Sequence, residues 1–315
     1  MFQLTRRELN EYVKQTGFIM NSLEKVLRLV DILSVLQTHS VTKDAFVLKG
    51  GTALNVFILD FPRLSVDVDL DYVRYTSKAR MIRDRKEIIS EIKKIFLPEY
   101  RVQLTKEAHA LTQLSFLYRT MSGSSDMLKI EMNFLRRVPI LPPKLRNFSR
   151  FGYVLDFLCL DDVELLAGKI TALLSRYAPR DLFDVYQMIA SFPLMDRDLL
   201  RSLLLFNGVT AKISVFEQFE LKLESITQKD IKNILWPLLR AGSYPSREEM
   251  VSQVEKFLTH YLSFTDEEEA AIKSFDKTGE LALETLFPQE DVRERIRRSP
   301  SLQWKVQNIN KKLSP

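Results

Sequence analysis

Asp67, Asp69 and Asp71 stand two apart in the run Val66-Asp67-Val68-Asp69-Leu70-Asp71-Tyr72-Val73, where apolar and acidic residues alternate strictly. Successive side chains of a strand point to opposite faces, so the run predicts a half-buried strand with its carboxylates on one face, neighbours about 6.6 Å apart. Like charges so close repel, and Asp fits a pleated surface poorly. Something cationic should offset them. Hard divalent ions take oxygen ligands, and a carboxylate edge of this kind suits a two-metal site about 4 Å across, one ion activating a nucleophile and one gripping a triphosphate. A solvent-facing edge strand whose charges deter aggregation is the other reading, and the aspartates alone serve either.

A second feature lies just upstream. Lys49-Gly50-Gly51-Thr52 follows the apolar strand candidate Ala45-Phe46-Val47-Leu48 and precedes the short helix candidate Ala53-Leu54-Asn55-Val56-Phe57-Ile58-Leu59. Paired glycines let backbone approach a ligand, and the N–H groups opening the helix form an anion site, to which the Thr52 hydroxyl would add a donor. A tight strand-to-helix turn explains the glycines equally well on their own. Their place shortly before an Asp-x-Asp strand is what points to phosphate.

These two features must be positioned by the elements around them. Leu23, Val26, Leu27, Val30 and Leu33 recur at helical spacing, with Asn21 and Glu24 as a capping pair. A helix is expected from about Ala79 to Phe96 with Ile82, Ile88, Ile89, Ile92 and Ile95 inward, then strands at 110–119 and 127–135. Pro139-Ile140-Leu141-Pro142-Pro143-Lys144 continues neither sheet nor helix, which places a lobe junction near 139–152. The expected organisation is therefore α+β, with a core over 1–150 and a helical lobe over 151–315. Thr265-Asp266-Glu267-Glu268 reads as an ordinary helix start. The basic tail, Arg293 to Lys312 around Trp304, suits either a nucleic-acid backbone or a solvated helix face.

Composition narrows the class further. Hydrophobic residues are 45% and charged residues 28% of 315, the balance of a globular protein. A net charge of +5 and a pI near 9.1 favour a polyanionic partner only slightly. The lone Cys159 sits in an apolar run, reads as a buried thiol and points to a reducing cytoplasm. No membrane span or signal peptide is recognisable. His39, His109 and His260 lack ligand-spaced partners, and no Walker or GxGxxG motif occurs, so zinc, thiol and dinucleotide chemistry find no support.

Lys49-Gly50-Gly51-Thr52-Ala53-Leu54 followed by Arg63-x-Ser65-x-Asp67-x-Asp69 resembles the first motif of the AbiEii-type nucleotidyltransferase toxins, a polymerase-β-like branch from bacterial abortive-infection and toxin–antitoxin systems. Leu166-Ala167-Gly168-Lys169-Ile170-Thr171-Ala172-Leu173 and Arg176-Tyr177-Ala178-Pro179-Arg180-Asp181-Leu182-Phe183-Asp184 resemble that family's later motifs. The resemblance implies a polymerase-β-like core, a mixed sheet with flanking helices, joined to a helical C-terminal lobe that contributes Lys169 and Asp181. It implies Asp67 and Asp69 as metal ligands and catalytic groups. Glu131, on the strand around Leu128–Asn133, is the candidate third carboxylate that helps deprotonate the acceptor, or else an exposed strand glutamate. Lys169 would meet the transferring phosphoryl group or the departing pyrophosphate, although an intrahelical lysine more often faces solvent. Asp181 would act in the site or merely cap a helix after Pro179. Lys49, Gly50, Gly51, Thr52, Arg63, Ser65, Arg180 and Asp184 are the expected nucleotide-binding residues, with Arg63 giving a bidentate grip.

The activity implied is transfer of a nucleoside monophosphate from an NTP, with Mg²⁺ or Mn²⁺, to a hydroxyl acceptor, tRNA or other RNA foremost. A cognate antitoxin would be the protein partner. A protein or small-molecule acceptor, or an inactive nucleotide-binding interaction module, are the alternatives.

Overall fold

The computed structural model describes residues 2–108, 110–210, 222–261 and 265–313. His109 lies outside the described residues. The chain divides into two compact units, the first comprising Met1–Arg137, Pro143–Leu160 and Trp236–Tyr244, and the second Val138–Pro142, Asp161–Leu235 and Pro245–Pro315.

The first unit is built on a seven-stranded mixed sheet. Its strands are β1 (Phe46–Lys49), β2 (Asp67–Tyr72), β3 (Arg101–Glu107), β4 (Leu111–Arg119), β5 (Ser125–Asn133), β6 (Lys144–Arg150) and β7 (Tyr153–Cys159), in the spatial order β3-β4-β5-β2-β1-β7-β6. β2 runs antiparallel to β1 and parallel to β5, while β1 runs parallel to β7. Helices α1 (Arg6–Thr16), α2 (Met20–Thr38), α3 (Gly50–Thr52) and α4 (Lys78–Phe96) accompany it, and α3 runs straight into a π-helix over Ala53–Ile58.

The apolar stripe of α2 is wholly buried: Leu23, Val26, Leu27, Val30 and Leu33 all show 0% exposure. Glu24 is not the capping partner that its spacing suggested. The N-cap is Ile19, with no side-chain cap. Glu24 is instead buried beside Arg28, whose Nε donates to it at 2.9 Å, and it accepts the Met121 backbone N–H at 3.0 Å. Arg28 lies over the Phe2 and Tyr118 rings at 4.1 and 4.4 Å, so the buried ion pair is enclosed by cation–π contacts. Along α4 the inward stripe is Met81, Ile88, Ile92 and Phe96, and Ile82 faces solvent at 41%.

β7 occupies a stretch expected to be helical. Val154 and Asp156 face outward while Leu155, Phe157 and Cys159 are buried, a period of two that fits a strand. The Cys159 thiol is buried, as read from its neighbours. Trp236–Tyr244, far along the chain, also joins the first unit: Leu239 bridges Arg63, and the Leu64 N–H donates to the Leu238 carbonyl at 2.8 Å.

The second unit is helical. It contains α5 (Asp162–Arg176), α6 (Pro179–Ser191), α7 (Arg197–Thr210), α8 (Gln228–Asp230), α9 (Arg247–Tyr261), α10 (Asp266–Thr278), α11 (Leu283–Leu286), α12 (Glu290–Arg298) and α13 (Pro300–Leu313). Thr265 closes a capping box with Glu268 at the start of α10, so the acidic run has the structural explanation its spacing implied. Among the described residues no helix is long and apolar enough to cross a membrane.

Candidate active site

The glycine turn and the acidic strand meet in the first unit. Lys49 is extended and pairs across the sheet with Asp69, and the chain then turns sharply through Gly50, whose φ of +69° is a region that favours glycine. A Cβ at Gly50 would lie 3.2 Å from the Asp69 Cγ and 3.3 Å from its Cβ. The missing side chain is what lets Asp69 rest on the turn. Gly51 makes the same kind of approach on the other side, where a Cβ would meet the Ser65 Oγ at 2.7 Å and the Arg63 Nη2 at 2.9 Å. One turn therefore has an acidic flank and a cationic flank. The Asn55 Nδ2 donates to the Gly51 carbonyl at 3.0 Å and steadies it, a contact that the sequence did not suggest.

Three expected ligand contacts take a different form. The Thr52 hydroxyl is buried and donates to the Asp67 carbonyl and, at 3.0 Å, to the Ser65 Oγ. It fastens the turn to the strand rather than facing a ligand. Arg63 is 3% exposed, its Nη1 donates to the Leu64 carbonyl at 2.8 Å, and its Nη2 backs Gly51. The Lys49 Nζ lies 2.7 Å from the Asp71 Oδ1.

That last contact divides the three aspartates. Asp71 is 2% exposed and neutralised by Lys49, while Asp67 and Asp69 remain half-buried. β5 brings up Glu131 directly opposite Asp69, and Lys129 opposite Asp67. Burial, then the charge of Asp69, pushes the Glu131 carboxyl above its ordinary range; Asp67 adds to the push, and Lys49 and Lys106 act against it. Lys106 and Lys129 carry no sequence signal for this role because only the β2–β5, β4–β5 and β3–β4 registers bring their strands here.

The second unit holds its own charged cluster. Lys169 on α5 places its Nζ 2.7 Å from the Asp184 Oδ2 and 3.3 Å from the Asp181 Oδ1, and both aspartates, on α6, are fully buried. Arg176 closes the cluster, with Nε 2.6 Å and Nη2 3.0 Å from the two Asp181 oxygens. The helix cap belongs to Ala178, with Pro179 in the first turn, and Asp181 therefore serves the ion cluster rather than the cap. Arg180 is half-buried on the same helix. The position of Arg176 five residues before Asp181 acquires meaning only once α5 ends in the left-handed Tyr177.

The sequence matches the family model for the nucleotidyl transferase AbiEii toxin of type IV toxin–antitoxin systems over residues 32–276, most of the chain. The chain belongs to the AbiEii nucleotidyltransferase toxin family. Among solved structures it is similar to MenT4, a nucleotidyltransferase toxin from Mycobacterium tuberculosis, at 17% identity and a TM-score of 0.64, covering 95% of this chain and 99% of that one. It also matches JHP933 from Helicobacter pylori at 18% identity and a TM-score of 0.49, covering 88% of this chain and 100% of that one. No curated protein sequence matches. The AbiEii span takes in the glycine turn, the Asp67–Asp69 strand, Glu131 and the Lys169 cluster. The polymerase-β-like fold of this AbiEii chain, a mixed sheet with flanking helices, is the one its motifs implied.

Proposed function

We propose that the chain moves a nucleoside monophosphate from an NTP to a hydroxyl of RNA, the tRNA 3′ end foremost, with Mg²⁺ or Mn²⁺. It would act in the cytoplasm as the toxin countered by a cognate antitoxin. The observation that carries this reading is the glycine turn, flanked by Asp69 through Gly50 and by Arg63 and Ser65 through Gly51. A metal–triphosphate complex carries charge of both signs and needs both flanks.

The donor set fits a hard divalent ion. Among the described residues no three His, Cys, Asp or Glu side chains form a cage for a metal. Mg²⁺ in nucleotide sites is normally held by one or two carboxylates, waters and the substrate's own phosphates, so a full protein cage is not required. Asp67 and Asp69 would hold it, with Glu131 beside them. When bound, the ion would neutralise triphosphate charge and acidify the acceptor hydroxyl.

The chain's own residues supply the rest. Glu131, with its raised proton affinity, is suited to receive the acceptor proton at a carboxylate oxygen. Gly50 and Gly51 keep side chains away from the phosphates, and Thr52, Ser65 and Arg63 hold the turn in place. Lys169 is the proposed cation for the transferring phosphoryl group, supported by its family motif and by the fixed geometry that Asp181 and Asp184 give it. Asp181, Asp184 and Arg180 complete that set.

Incubation with each α-labelled NTP, Mg²⁺ and a mixture of tRNA, cell protein and an aminoglycoside, followed by separation of the products, tests the reading. Label at tRNA 3′ ends is expected. Label solely in protein or small molecule would transfer the proposal to that acceptor, and absence of label everywhere from a folded protein would refute it.

A further inference from the structure

A cavity of about 920 Å³ opens in the helical unit, lined by Ile189 of α6, Arg197 of α7, and Gln253, Lys256, Phe257, Thr259, His260 and Tyr261 of α9. Its size is that of a small-molecule pocket. Gln253, Lys256, Phe257 and His260 fall at i, i+3, i+4 and i+7, which makes them one stripe along α9. The core of the unit takes a different stripe, Met250, Val251, Val254, Leu258 and Tyr261. The cavity-facing stripe carries Lys256 and the Phe257 ring, and Arg197 of α7 adds another cation to the cavity.

The chemistry of that lining is selective. Arg197 and Lys256 are permanent cations, and no carboxylate is among the described lining residues. Phe257 stacks on Tyr261, ring centroids 4.4 Å apart and tilted by 33°, so an aromatic platform stands in the cavity. Burial raises the Tyr261 hydroxyl above its ordinary range; the charge of Arg197 acts against the shift and that of Asp198 with it, which places both side chains within electrostatic reach of the phenol. The Arg201 Nη1 donates to the Tyr261 carbonyl at 2.9 Å and anchors the end of α9.

We infer that this cavity binds a nucleoside phosphate, with its base on the Phe257 ring and its phosphate between Arg197 and Lys256. Aromatic platforms beside cations hold single-stranded nucleic acid without regard to sequence, since every base has a π face. The same chemistry accepts a free nucleotide or one unit of an RNA strand. None of the lining residues belongs to the Asp67–Asp69 or Lys169 sets, and the inference stands apart from the transfer reaction.

The test measures binding of a fluorescein-labelled ten-nucleotide single-stranded RNA and of AMP to the full chain in EDTA, conditions that suppress metal-dependent nucleotide binding. Arg197→Gln with Lys256→Gln, both at exposed positions, should weaken the RNA about tenfold. It should also lower the slope of log affinity against log salt by about 1.4, or about 0.7 for each lost phosphate contact. Phe257→Leu, which keeps an apolar side chain but removes the platform, should cost about fivefold or more. Circular dichroism and melting confirm that each variant is folded. Loss for RNA alone assigns the cavity to a strand, and loss for AMP as well assigns it to a free nucleotide. Wild-type affinity in both folded variants, or no binding of either probe by the wild type, overturns the proposal.

Discussion

Two charged clusters, one in each unit, are built on opposite principles. At Lys169 two buried aspartates face two cations at contact distance, and the cluster satisfies itself. On the β2 edge Lys49 is paired with Asp71, and Glu131 lies opposite Asp69, where burial and then the charge of Asp69 raise its proton affinity. The first cluster fixes geometry through buried ion pairs, whereas on the β2 edge the Asp67, Asp69 and Glu131 carboxylates stay half-buried and within reach of solvent. The difference lies in what each cluster leaves accessible: Lys169 is held by two buried aspartates, while Asp67 and Asp69 are only half-buried.

The comparison can be broken most sharply by neutralising the acidic edge. Asp69→Asn should lower nucleotide transfer by about a thousandfold or more, consistent with the several kcal/mol a catalytic metal supplies, while the melting temperature holds or rises. A fall in stability equal to the fall in activity would place Asp69 in the core architecture. Lys169→Ala should lower transfer and stability together, because it removes the proposed phosphoryl cation and leaves Asp181 and Asp184 buried with reduced compensation. Denaturant unfolding should show a loss of about 3 kcal/mol. Unchanged stability would mean the cluster is not the self-satisfied unit its distances describe.

Gly51→Ala tests the turn. Its Cβ would sit 2.7 Å from the Ser65 Oγ and 2.9 Å from the Arg63 Nη2, so the turn must shift, at a cost of about 1–3 kcal/mol. Steady-state assays should show transfer falling further than that stability loss accounts for. Wild-type transfer would show that the turn's approach to Arg63 is not needed.

The smallest effect concerns Glu131. Its folded proton affinity exceeds the unfolded one, so the native state binds more protons in the window just above 4.5, and ionised Glu131 costs stability once pH rises through that window. In EDTA, Glu131→Gln should therefore melt higher than wild type at pH 7. The advantage should shrink as pH falls towards 4.5. Thermal melts across that range check the sign, and an advantage independent of pH would detach it from ionisation.

The parts legible in the sequence are local in origin. Alternation marked β2, glycines marked the turn, and 3.6-residue periodicity marked α2 and the helices after Asp162, because each is written within one or two turns of chain. What escaped notice depends on partners distant in sequence. Glu24 resembled a cap until Arg28 and Met121 claimed it, and Asp71 resembled a ligand until the β1–β2 register brought Lys49 to it. Leu239, on a segment that reads as part of the helical lobe, bridges the Arg63 backbone in the first unit. Burial and charge compensation are properties of pairing, and a single chain read in order does not display them.

The β2 edge beside the glycine turn is proposed to hold a metal–nucleotide complex. Isothermal calorimetry of Mn²⁺ with a non-hydrolysable NTP analogue measures this directly in the wild type and in Asp69→Asn. The account predicts mutually dependent binding of metal and nucleotide by the wild type, and loss of that dependence in the variant. Equal binding by the two proteins, with both folded, would contradict it.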